Sequence, residues 1–308
     1  MQASKTFYAS NIMTIGYIGL GKMGHNMVER LVAQRHEVFA FDVSEEARKS
    51  AEDAGAKTAD SSEALLGMLE EPRLVWLMVP HNIVDDVISE VTLNLSEGDT
   101  IIDGGNSYFK DSVRRAQELS GYGIKFLDVG VSGGPAGARD GACLMIGGDE
   151  DDYKKLESLF RDLAAQDAYA YMGRHGAGHF VKMVHNGIEY GMMQAIAEGF
   201  EVMHESEFNL DLKEISDLYN RRSVVESRLV GWLHNAYEEF GENMEEISGS
   251  VAASGEGRWT VETAKELGVP VRAIEDALNF RLASYDNPSY TGRLLSAMRN
   301  QFGGHKAK

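Results

Sequence analysis

The chain has 308 residues, 43% hydrophobic and 25% charged. Against ~100–200 residues per domain, that length points to two domains, each able to bury a core. Lys+Arg 30 against Asp+Glu 48 leaves a net charge of −18, which repels a phosphate backbone and argues against nucleic-acid binding. Its longest apolar run, Leu74 to Pro80, is far short of the ~20 residues that cross a bilayer.

The opening MQASKTFYAS has no positive-then-apolar layout of an export signal. Residues 1–12 read as a flexible extension ahead of Met13. The single cysteine, Cys143, has no intrachain partner and reads as a small core residue. These features fit a reducing, cytoplasmic setting.

From Met13 onward, short apolar runs alternate with helical patterns, as in a parallel sheet with crossover helices. Strands are predicted at Met13 to Ile18, Glu37 to Phe41, Leu74 to Val79, Thr100 to Ile102, Lys125 to Val129 and Leu144 to Ile146. The fold class is an α/β, doubly wound dinucleotide-binding domain over 13–177, followed by an all-α domain over 178–298 and a tail over 299–308. The change falls after Gly178, where Ala-, Glu-, Leu- and Met-rich helical spacing replaces strand-sized runs.

The first strand runs into Gly19-Leu20-Gly21-Lys22-Met23-Gly24 and then an amphipathic stretch, His25 to Gln34. Alone, G-x-G-x-x-G is weak; between a strand and a helix it has its required context. Gly19 permits the tight turn, Gly21 lets backbone approach a pyrophosphate, and Gly24 allows close helix packing. The helix amino end offers free N–H groups to phosphate. Asp42, 18 residues past Gly24 at the second strand's end, suits the ribose hydroxyls and repels a 2′-phosphate, which favours NAD over NADP. Capping the helix that begins at Ser44-Glu-Glu-Ala is the plainer role for the same aspartate.

The segment Lys182-Met-Val-His185-Asn186-Gly-Ile-Glu189-Tyr190 puts an amine, an imidazole, an amide, a carboxylate and a phenol on one helical face. Val184, Ile188, Gly191 and Ala195 lie opposite and suggest a tightly packed, buried helix. Lys182 and Glu189 are two turns apart, ~10.5 Å along the axis. A solvated surface pair has the same pattern; a buried lysine shifts readily toward neutrality and can move protons.

The pieces GLGKMG, DGGNS (Asp103 to Ser107), VSGG (Val131 to Gly134), KMVHNGIEYG, GRWT (Gly257 to Thr260) and RNQFGGH (Arg299 to His305) resemble the decarboxylating 6-phosphogluconate dehydrogenase family, in its compact NAD-linked form. The resemblance spans Met13 to His305. It implies that Lys182 takes the 3-hydroxyl proton and returns it during loss of carbon dioxide, and that Glu189 protonates the enediol. It places Val79, Pro80 and Asn106 at the cofactor, and Asn106, Ser132, Gly133, Gly134, His185 and Asn186 around a sugar-acid phosphate. Tyr190 and Arg281 fall at the phosphate, with Arg299 and His305 reaching it from a neighbouring subunit of a homodimer or dimer of dimers, on an extended tail. No metal is expected. In the common form a lysine and a threonine stand where this chain has Ser254 and Glu256, so phosphate binding is expected to be organised differently. Two other functions fit parts of the pattern: a non-decarboxylating 3-hydroxyacid dehydrogenase, which has no enediol for Glu189 to protonate, and a silent dinucleotide sensor, which needs neither Lys182 nor Glu189.

Overall fold

In the computed structural model, residues 11–253 and 255–304 are described; the expected extension, Ser254 and His305 fall largely or wholly outside them. Apolar runs buried on both faces, rather than on alternate residues, mark an interior parallel sheet. β4 (Leu74–Leu77) is the clearest case: Leu74 and Trp76 join one apolar cluster, Val75 and Leu77 the other. Around it lie β1 (Thr14–Ile18), β2 (Glu37–Phe41), β3 (Lys57–Thr58), β5 (Thr100–Asp103), β6 (Lys125–Ser132), β7 (Ala142–Gly148) and β8 (Ala164–Gly173). Among the described residues they form one eight-stranded sheet in the order β3-β2-β1-β4-β5-β6-β7-β8.

The six strands from β3 to β6 are parallel, with the 3-2-1-4-5-6 order of a doubly wound dinucleotide fold. Two features differ from the expected all-parallel sheet. β7 is antiparallel to β6, because only the short α6 (Gly134–Asp140) joins them, and β8, which alternation had not revealed, pairs parallel to β7. Cys143 lies on β7 but is exposed, which corrects its assignment to the core; its side chain points out of the alternating strand.

The chain divides into compact units Met1–Lys182 and Met183–Lys308 inside α8 (Ala177–His204). The second unit is helical, with α9 (Leu212–Tyr219), α10 (Arg228–Phe240), α11 (Gly255–Glu266), α12 (Arg272–Ala283) and α13 (Tyr290–Gly303). The expected extended tail is corrected by α13, which carries Arg299 as helix and ends only where Gly304 adopts φ +58. The paired glycines stop the helix at the expected break, so Arg299 belongs to the helix and not to a tail.

At the end of β5 the Asp103 carboxylate, fully buried, accepts from Gly105 N (3.1 Å), Ser107 Oγ (2.6 Å) and Arg115 Nη1 (3.2 Å) on α5 (Phe109–Ser120). Arg115 also donates from Nε to Asp85 at 2.7 Å. Removing one member of such a pair strands a buried charge. Arg115→Met is therefore expected to cost about 3–5 kcal/mol, read as a lower urea midpoint for the first unit, whereas exposed Arg139→Met leaves that midpoint unchanged.

Candidate functional site

Every loop that the parallel strands deliver at their carboxyl ends falls on one edge of the sheet. There sit Gly19 to Gly24 after β1, Asp42 after β2, Val79 and Pro80 after β4, Asn106 after β5, and Ser132 to Gly134 at the end of β6. This is where open α/β sheets bind ligands.

Three glycines of the first loop have separate physical reasons. Gly19 has φ +99, and a Cβ there would lie 2.4 Å from Met78 O. A Cβ on Gly24 would meet Gly19 O at 2.0 Å, so only glycine lets α1 (Lys22–Ala33) close on the strand. At Gly21, by contrast, nothing approaches within 4 Å. That open backbone, at a helix start with no side-chain cap, leaves N–H groups available to a pyrophosphate. Leu20 is buried, while Lys22 and Met23 lie at the helix start.

Asp42 Oδ2 accepts from Leu20 N at 2.7 Å and Oδ1 from Ser44 N at 2.8 Å. Ser44, not Asp42, caps α2 (Glu45–Asp53), accepting from Ala47 N. The aspartate is thus held rigid by two backbone donors, each oxygen retaining acceptor capacity. Beside it a hollow is lined by Leu20, His25, Ser44, Glu46, Ala47 and Ser50. The open glycine edge and the fixed carboxylate fit the pyrophosphate and adenosine ribose of NAD.

On α8, Lys182 is buried, and His185, Asn186 and Glu189 are half-buried. His185 Nδ1 and Asn186 Oδ1 lie 3.0 Å apart. The opposite face is not buried as expected: Ile188 and Met192 are 51% and 43% exposed, and Ala195 is exposed as well. Within the second unit α8 packs through other positions. A Cβ on Gly187 would lie 2.7 Å from Thr260 Cγ2, and one on Gly257 2.4 Å from the Tyr190 ring. Thr260 Oγ1 donates toward Met183 O and Glu256 O, both at 2.8 Å. The GRWT segment is accordingly a docking face for α8, with Glu256 buried in the same helix.

Arg281 on α12 is 1% exposed and lies 3.4 Å from the Tyr190 ring centroid. Its Nη2 reaches Met193 Sδ at 3.6 Å, and its Nε has no hydrogen-bond partner among the described residues. Burial lowers its pKa to about 10; Arg299 lowers it further, while Tyr190 and Glu189 pull the other way. Arg299 of the same chain, 8% exposed, therefore acts electrostatically on Arg281. Two buried guanidiniums thus lie in one unit, near enough for one to act on the other.

Among the described residues no group of three or more His, Cys, Asp or Glu is placed to hold a metal, and no helix is long and apolar enough to cross a membrane. Sequence reading passed over Asp128 and Gly130 of β6, although a carboxylate inside the apolar run Phe126-Leu-Asp-Val is itself a signal of a buried, fully bonded group.

A doubly wound sheet with a glycine-rich first turn, followed in the chain by a helical unit, defines a dinucleotide-binding oxidoreductase. The family models agree: residues 14–173 match the NAD binding domain of 6-phosphogluconate dehydrogenase, and 178–301 its C-terminal domain. A Bacillus subtilis relative, YqeC, is 44% identical over 293 residues, covering 95% of this chain and 98% of that protein. The NAD(+)-dependent, decarboxylating 6-phosphogluconate dehydrogenase of Haloferax volcanii is 42% identical over 296 residues, covering 96% and 98%. The solved 6-phosphogluconate dehydrogenase of Plasmodium falciparum aligns with a TM-score of 0.76 at 29% identity, over 92% of this chain and 70% of that one. This chain belongs to the 6-phosphogluconate dehydrogenase family.

The depressed Arg281 pKa has a consequence for stability. Below about pH 10 the guanidinium is charged in both the folded and unfolded chain, and the folded form carries the penalty; it lifts only as pH rises from about 10 toward the ordinary guanidinium range. A depression of that size corresponds to roughly 3–4 kcal/mol. Arg281→Met is expected to raise the thermal midpoint at neutral pH in phosphate-free buffer. Added inorganic phosphate should raise the wild-type midpoint and leave that of the variant in place.

Proposed function

We propose that the chain catalyses oxidative decarboxylation of 6-phospho-D-gluconate to D-ribulose 5-phosphate and carbon dioxide, with NAD as acceptor, as in the pentose phosphate pathway. The observation that carries this reading is Lys182 and Glu189 on one face of α8, within the family string KMVHNGIEYG. When bound, the nicotinamide accepts the hydride. The Lys182 amine takes the 3-hydroxyl proton and returns one to the carbonyl oxygen as the carboxylate leaves; Glu189 then protonates the enediol carbon. Asn106, Ser132, Gly133, Gly134, His185 and Asn186 supply polar contacts to the sugar acid, and Tyr190, Arg281 and Arg299 hold its phosphate. Here Arg299 serves through its position near Arg281 of its own chain, with His305 as a further donor.

The exposed α8 positions Ile188, Met192, Ala195 and Val202 give the homodimer of this reading a surface to pair on. Glu189 separates decarboxylation from simple hydride transfer, which leaves no enediol to protonate. The deciding experiment follows NADH at its absorbance maximum with 6-phosphogluconate while carbon dioxide is trapped; NADH without carbon dioxide would overturn the decarboxylating reading.

Lys182→Ala is expected to abolish NADH and carbon dioxide formation while NAD still binds, and Glu189→Gln to slow the later protonation, each by ~10²–10⁴-fold. Wild-type turnover in Lys182→Ala would sink the mechanism. For cofactor choice, the Asp42 carboxylate is expected to favour NAD by ~30–150-fold in kcat/KM. Asp42→Ala narrows that ratio, and a wild-type ratio favouring NADP would reverse the assignment.

A further inference from the structure

We infer that Asp128 is a positioning residue, which sets where Lys182 stands by capping the start of α8 from strand β6. The inference rests on Lys182 being the proton-transfer group.

The residue before α8 is Gly176, at φ +87, which has no side chain to cap the helix. Orphan N–H groups at a helix start require acceptors, usually from an N-cap Ser, Thr, Asp or Asn. Here the acceptor comes from 48 and 51 residues away in sequence: Asp128 Oδ1 accepts from Gly176 N at 2.6 Å, and Oδ2 from His179 N at 2.8 Å. One carboxylate thus satisfies the cap position and the third helical residue, with no solvent access of its own. The His179 ring is fixed as well, its Nδ1 lying 2.7 Å from Ser112 Oγ on α5.

Glycines make the contact close. A Cβ at Gly147, the residue paired with Asp128 across β6 and β7, would lie 2.6 Å from both Asp128 Oδ1 and Gly178 N. A Cβ on Gly178 would lie 2.4 Å from both Asp128 O and Met145 O. Helix backbone therefore rests directly on strand backbone. Lys182 follows three residues after His179, ~4.5 Å further along the axis. Its Cβ sits where a side chain on Gly130 would have to go, 2.4 Å from that missing Cβ.

Alternation places Asp128, Gly130 and Ser132 on one face of β6. The strand behaves as a ruler: its first mark caps α8, its second seats the Lys182 stem, and its third is the hydroxyl assigned to substrate. Replacing one carboxylate oxygen by an amide nitrogen turns one of the two accepted bonds into a donor facing a donor. The helix start then loses its fixed height over the strand. Misplacement of a reacting group by ~1 Å costs about 10²-fold in rate.

The test uses the full chain. In Asp128→Asn, hydrogen exchange of peptides covering 174–182 should accelerate and NAD affinity should stay within about twofold of wild type. The kcat with 6-phosphogluconate should fall by ~10–100-fold, with a shifted acid limb of the kcat–pH profile and KM nearly unchanged. Gly130→Ala is the second variant: it pushes on the Lys182 stem while leaving the cap intact. It should lower kcat without speeding exchange in 174–182, and it carries the test if Asp128→Asn does not fold. Wild-type kcat in either folded variant, or a lowered kcat with an unmoved pH profile, overturns the positioning role. Turnover in Lys182→Ala would instead overturn the base assignment, and the exchange data would still report whether Asp128 anchors the helix.

Discussion

The first turn of α8 lies against β6 and β7 with no side chains between them, and much of the chain's chemistry depends on that approach. Gly130, Gly147 and Gly178 each stand where a Cβ would strike backbone, a carboxylate or the Lys182 stem. Glycine costs conformational entropy on folding, and three such positions in one contact are tolerated because they deliver backbone-on-backbone precision. From that fixed start the helix reaches Lys182 within its second turn.

The electrostatics divide along a similar line. A net charge of −18 gives an acidic exterior, while the interior holds ionic groups that each have specific partners. Asp103 takes an arginine, a hydroxyl and a backbone amide; Asp128 takes two backbone amides. Asp103 ends β5 and fixes the segment that follows, while Asp128 lies mid-strand in β6 and fixes the helix start that packs on it. Arg281 differs, since burial and Arg299 both lower its pKa and its Nε lacks a hydrogen-bond partner among the described residues. A buried cation of this kind weakens the folded chain, which is the cost that a role in the proposed phosphate binding would explain.

Local chemistry made the cofactor half readable. Gly19, Gly21 and Gly24 hold distinct steric positions that the spacing alone implies, and Asp42 closes β2 where the pattern puts it. What escaped sequence reading was set by partners distant in the chain. β3 has only two residues, and β8 is an edge strand whose mostly exposed or half-buried AAQDAYAYMG run carries no apolar core pattern, so neither announces itself by periodicity. Cys143 has the composition of a core residue but falls on the outward phase of β7. The small and apolar face of α8 signalled burial, yet Ile188 and Met192 face outward, because periodicity reports a face and not what covers it. Gly303-Gly304 signalled a break and the helix does end there, but Arg299, assigned to the tail, lies within the helix.

The motifs without ionisable groups follow from the same packing. GRWT contains one arginine and no evident catalytic acid or base beyond it, and its value lies in Gly257 and Thr260. Gly257 admits the Tyr190 ring, Thr260 fits against Gly187, and its hydroxyl meets the Met183 carbonyl. Tyr190 in turn presents its ring face to the Arg281 guanidinium, an attraction worth ~2 kcal/mol or more once desolvated. A side chain larger than hydrogen at 257 would displace the ring, and with it the surface on which the buried cation rests. The glycine thus acts on the charge at 281 through one aromatic ring, and this links a segment with little chemistry of its own to the buried guanidinium.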